Sequence, residues 1–95
     1  MARYVIFTRL HPQIHEGPGD FRALADEVSA RIKEECPGVN WLDSYATMGE
    51  VDVVDIVESD DPTQVAKAAM IIRSLAGADT ETLAAVRWKE FIDAL

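Results

Sequence analysis

Two histidines, His11 and His15, and one acid set among valines, Asp55, are the side chains of this sequence best suited to chemistry. A neutral imidazole titrates near working pH, so either histidine at the mouth of an apolar cavity can give or take a proton. They stand four apart, the spacing that pairs two ligands on one helix face, yet Pro12, Gly17 and Pro18 argue against a helix there. A metal would need a third ligand, for which Glu16 or Asp43 is the candidate, and the expectation is no metal and no cofactor. Asp55 interrupts the valine-rich run from Val51 to Val57, and an unpaired buried acid is costly, so it must meet a cation, a donor or water. Arg9 or Arg87 would make it a structural ion pair; otherwise it lines an enclosed interior. His15 and Asp55 are therefore the catalytic candidates, and a carboxylate close to His15 would favour the charged imidazole. Tyr45, Asp43 and His11 are the ligand-binding candidates. Strict alternation places Trp41, Asp43, Tyr45 and Thr47 on one strand face, a mixed polar and aromatic surface. Asp52 reads as a loop anchor, and Met48 and Trp88 as core or interface residues.

No GxGxxG, Walker loop, nucleophile elbow or HExxH is present, so nucleotide, serine-hydrolase and zincin chemistry lack their usual support. The 95 residues make one domain, 1–95, short enough for self-association to be a natural source of extra burial. Nine Lys and Arg against seventeen Asp and Glu give a net charge of −8, which repels phosphate backbones and anionic lipid. The expectation for this acidic chain is therefore no nucleic acid and no membrane. A single Cys36 suits a reducing compartment, and cytoplasmic localisation is the default.

The elements that must position these residues are legible. Residues 3–10 form a β-branched and aromatic strand, followed by a loop from His11 to Gly19 that is long for an α/β connection. Asp20 can cap a helix with the apolar stripe Phe21, Leu24, Ala25, Val28 and Ile32, which Pro37 and Gly38 end. Strands over 39–48 and 51–58 are joined at Gly49-Glu50, where glycine suits a type II′ hairpin turn. Asp61, Pro62 and Gln64 resemble a capping box opening a second helix, and Gly77 stops it. The stripes of both helices read as core. Residues 80–88 give a fourth strand and 89–95 a short amphipathic helix.

This order, β-α-β-β-α-β, specifies an α+β ferredoxin-like fold, a four-stranded antiparallel sheet with two helices on one face and a short C-terminal helix. Val53 and Val57 lie on one face of the third strand and Val54 and Ile56 on the other; Tyr4 and Ile6 alternate with Val5 and Phe7 in the first. A sheet covered on one side should not be apolar on both, so a homodimer stacked sheet to sheet is expected.

The run from Tyr45 through Asp61, the Ala-rich helix after it and the segment Thr80 to Val86 resemble the GYD domain family over nearly the whole chain. Thr47, Gly49 and Asp52 stand where the family's Thr-x-Gly-x-Tyr-Asp signature places them; Glu58, Asp60 and Asp61 match its acidic strand end, and Thr80 and Thr82 its Thr-x-Thr. Val51 occupies the position of the signature tyrosine. The resemblance implies a dimeric α/β barrel, two ferredoxin-like sheets closing around a shared interior, and no defined chemistry.

Two function classes follow. One is an oligomeric small-molecule binding or structural protein whose barrel interior is edged by Tyr45, Asp55 and the histidine loop. The other is a cofactor-independent isomerase or monooxygenase type of enzyme working by proton transfer on a small apolar substrate. A binder needs shape and a few polar anchors where an enzyme needs an acid or base facing the cavity, so the reading leans away from an enzyme.

Overall fold

The β-branched residues that fill the first and third strands make them the two central strands of the sheet. The computed structural model describes residues 1–11 and 17–95. In chain order the elements are β1 (Ala2–Arg9), α1 (Pro18–Glu35), β2 (Asn40–Ala46), β3 (Val53–Ser59), α2 (Pro62–Ala76), β4 (Asp79–Ala85) and α3 (Trp88–Asp93). The sheet runs β2-β3-β1-β4 with every neighbouring pair antiparallel, which is the ferredoxin-like α+β arrangement. No helix among the described residues is long and apolar enough to cross a membrane.

Register fixes the two faces. Ile6 pairs with Asp55 and Thr82, and Tyr4 with Val57 and Ala84; these residues share the helix side. There Ile6 and Val57 join Ile32 and Cys36 at the end of α1 and Val65, Ala68, Ile71 and Ile72 of α2 in one core. Val5, opposite Ile56 and Leu83, and Phe7, opposite Val54, share the other side, which no helix among the described residues covers.

The helices are held unequally. α2 buries Val65, Ala68, Ala69, Ile71, Ile72 and Ala76, whereas α1 buries only Ile32. A large apolar side chain contributes ~1.5 to 3 kcal/mol when buried, so α2 is the firmly seated helix and α1 is fastened at its C-terminal end. Asp61 caps α2 by accepting from Thr63 N at 2.9 Å, and Gly77 ends it at φ 60°. Gln64 does not close a box onto the Asp61 backbone; its Oε1 accepts from Gly38 N at 2.7 Å and ties α2 to the α1–β2 turn.

Four local expectations are corrected. α1 starts at Pro18 with Gly17 as its cap, and Asp20 sits in its first turn, where a negative charge favours the helix dipole. The Gly49-Glu50 turn is no two-residue hairpin. β2 and β3 are joined by residues 47–52, closed by Thr47 N to Asp52 O at 2.9 Å and Thr47 Oγ1 to Val51 O at 2.6 Å, and Gly49 lacks the positive φ a type II′ turn requires. β4 stops at Ala85 because Arg3 is its last partner on β1. β2 carries a bulge between Trp41 and Asp43, so alternation along it is broken.

Candidate functional site

Because α1 is seated only at its end, its apolar stripe does not close onto the sheet. Phe21, Leu24, Ala25 and Val28 instead form one wall of a cleft of about 690 Å³ whose opposite wall is the helix face of β1, β2 and β3. That size suits a small organic ligand. The expectation that this stripe is core holds at Ile32 and in part at Val28, which packs against the core, and fails at the exposed Phe21 and Ala25.

The sheet wall carries the polar groups. Asp55, 7% exposed, accepts from Ser44 Oγ at 2.6 Å and from Trp41 Nε1 at 3.0 Å, both on Oδ1, and Trp41 Nε1 also lies 3.0 Å from Ser44 Oγ. The bulge makes this cluster possible. Residues 41 and 44, an odd number apart, would face opposite ways on a regular strand; the extra residue brings both to the helix side, opposite Val57 and Asp55. Thr8, 3% exposed, lines the same cleft diagonally across the strands from Asp55, and its Oγ1 is buried without a partner among the described residues. Lys33, exposed on α1, is the basic residue among those lining the cleft.

The ion pair expected for Asp55 is not formed. Arg9 lies on the open side and binds Glu50 at 3.3 Å, while Arg87 precedes α3. Nor does Asp55 face the side on which a second sheet would stack: it points between helix and sheet of its own chain. His11 pairs with Asp79 at 3.4 Å, where β1 leaves the sheet beside the start of β4, and does not line the cleft. His15 and Glu16 lie outside the described residues. Asp43 and Tyr45 are separated from Trp41 by the bulge; the Tyr45 hydroxyl donates to Asp43 Oδ2 at 2.5 Å, and Tyr45 also borders the cleft. That hydrogen bond, together with the charge of Asp43, holds the Tyr45 hydroxyl above the ordinary phenol range. Asp52 is the loop anchor its position suggests, accepting from Leu10 N at 2.7 Å. Met48 is not core, being fully exposed in the β2–β3 loop.

Among the described residues no three His, Cys, Asp or Glu side chains converge as metal ligands would. Ser44 gives its proton direction to Asp55 with no imidazole between them, so the pair is not a Ser-His-Asp relay. Thr8 and Ser44 escape a sequence reading, as does the bond from Trp41 to Asp55. The one available signal is Thr8 itself, a hydroxyl two residues beyond the fully buried Ile6 on the same strand face.

The GYD domain family matches residues 4–95. The chain belongs to this family. No curated protein matches it. Among solved structures, this GYD domain is similar to TTHA0845 from Thermus thermophilus, at 25% identity and TM-score 0.60 over 92% of this chain and 95% of that one. It is similar to the hypothetical protein PHS023 of Pyrococcus horikoshii at 21% identity and TM-score 0.56, covering 92% of each. It also resembles the leucine response regulatory protein LrpA of Mycobacterium tuberculosis at 17% identity and TM-score 0.60, over 90% of this chain. The chain spans about half the length of LrpA, 51%. Likeness at these low identities is one of fold, and it places the GYD domain among small ferredoxin-like α+β proteins.

Proposed function

We propose that this GYD domain protein binds a small, largely apolar molecule in the cleft between α1 and the sheet. The observation that carries this reading is the cleft's composition: an open volume of about 690 Å³ walled by Phe21, Leu24, Ala25, Val28 and Val53, with Asp55, Ser44 and Thr8 on its sheet wall. Apolar walls with a few placed polar groups are what a ligand site requires. The test is binding of the neutral, environment-sensitive dye Nile red, followed by fluorescence, in wild type and in Ala25→Trp. The indole added to the exposed side of a well-formed helix occupies the cleft without touching the core, so the variant should fold and lose the dye. Equal dye affinity in the two proteins refutes the reading.

The protein acts, in the same proposal, as a homo-oligomer of at least two copies. Support comes from the uncovered sheet side, with Val5, Phe7, Val54, Ile56 and Leu83, and from α3, which buries nothing and leaves Trp88 74% exposed beside Phe91, 5.8 Å between ring centres.

A second reading, cofactor-independent proton transfer, draws on Asp55 alone. Its Oδ2 is free of protein donors among the described residues and is available as a base. Exchange of a bound molecule's hydrogen in D2O, lost in Asp55→Asn, would mark that activity.

A further inference from the structure

We infer that the cleft selects a ligand with a protonated amine at one end of an apolar body, the ammonium bridging Asp55 and Thr8; this rests on the cleft being the binding site proposed above. Both protein donors that reach the Asp55 carboxylate, Trp41 Nε1 and Ser44 Oγ, fall on Oδ1, and among the described residues no donor meets Oδ2. No Lys, Arg or His among them lies within ion-pair distance of Asp55, so the described residues give its negative charge hydrogen bonds and no counter-charge. A buried carboxylate in that condition is costly, and a cation arriving with the ligand offsets the cost.

The second observation is independent. Thr8 Oγ1 is buried on the same wall with no partner among the described residues, and the register Thr8 to Val53 and Ile6 to Asp55 makes Thr8 and Asp55 diagonal neighbours on one face. Such positions lie ~7 to 8 Å apart at Cα. Oγ1 is closed to solvent as it stands, so an ammonium on Oδ2 reaches it when the Thr8 side chain turns about χ1 toward the cleft, and it then donates to both. A hydroxyl head has one proton to donate and brings no charge. A carboxylate head would face Asp55 directly, and among the described lining residues exposed Lys33 alone could meet it. The remaining lining is hydrocarbon and aromatic, which fits an alkyl or aryl body.

Three probes of one body separate the possibilities: n-octylamine, n-octanol and octanoate, titrated into the whole chain at neutral pH. Binding is followed through the two indole N–H resonances in ¹H–¹⁵N spectra. The Trp41 indole donates to Asp55 and reports the polar group of the cleft, whereas exposed Trp88 reports adventitious surface contact. The expected result is octylamine at least tenfold tighter than octanol, with the Trp41 resonance moving and the Trp88 resonance still, octanoate weakest, and the amine preference lost in Asp55→Asn. Ala25→Trp must abolish the Trp41 response, which removes general attraction of a cation to an acidic protein as an explanation. The wild-type ratio stands even where Asp55→Asn does not fold. Equal affinity for the three, a preference for octanoate, or an amine preference that persists in folded Asp55→Asn overturns the head-group assignment and leaves the cleft reading in place. Failure of all three probes to bind wild type overturns both.

Discussion

Thr8 and Ser59 are buried hydroxyls on the same face of adjacent strands, and their removal should change stability in opposite directions. Ser59, fully buried, donates to Gly38 O at 2.7 Å and accepts from Asp61 N at 3.0 Å, so Ser59→Ala removes the partner of a carbonyl and of an amide in a part-buried turn. Thr8 Oγ1 has no partner to strand among the described residues. A buried polar group left unpaired costs ~1 to 3 kcal/mol, so replacing that hydroxyl with the methyl of valine releases most of the penalty while keeping the β-branched shape. The Thr8 backbone carbonyl, which accepts from Asp52 N at 2.9 Å, is untouched. Thr8→Val should therefore gain ~1 to 2 kcal/mol and Ser59→Ala lose about 2, and in a domain of this size 1 kcal/mol moves Tm by ~4 to 8 °C. Urea denaturation at one fixed protein concentration should show the midpoints displaced by roughly 1 M in opposite directions with unchanged slopes. Destabilisation by Thr8→Val would mean that the hydroxyl is satisfied, and the argument for a ligand group at that position would fail with it. If the reasoning holds, the same substitution weakens octylamine binding while raising Tm, the exchange of stability for function expected of an unsatisfied group kept in a site.

Val53 and Val54 are adjacent and face opposite ways, so aspartate at each should act differently. Val54→Asp puts a charge on the open side and should reduce the mass seen by light scattering to that of one chain with the circular dichroism spectrum retained; Val53→Asp, on the helix side, should lower Tm by 10 °C or more, about 2 kcal/mol, and matching behaviour of the two would refute the face assignment. Burial pushes the Cys36 thiol up. Its stabilising share is complete below the unfolded thiol pKa of about 8.5 and is lost as pH rises beyond it, because the unfolded chain then releases a proton that the native chain retains. Stability of Cys36→Ala relative to wild type should accordingly become less unfavourable between roughly pH 8 and 10, and a flat difference across that range would contradict a buried, protonated thiol.

The sequence by itself determined the element order, the sheet and its two faces. These are set by local chemistry: alternation in β1 and β3, the cap at Asp61, the stop at Gly77, and the period-of-two rule that separates Val53 and Val57 from Val54 and Ile56. It also singled out Asp55, since an acid among valines is anomalous without any structure. The site needed tertiary structure for two reasons. Alternation is a rule for regular strands, and the bulge between Trp41 and Asp43 carries no strong sequence mark, yet it moves Trp41 beside Ser44 and takes Asp43 and Tyr45 to the other side. An apolar stripe, in turn, shows which helix face is turned inward and not how closely it is seated. α1 is fixed at Ile32 and Cys36 by contacts with α2 and the sheet, and the gap left under Phe21, Leu24, Ala25 and Val28 follows from how three separate elements meet.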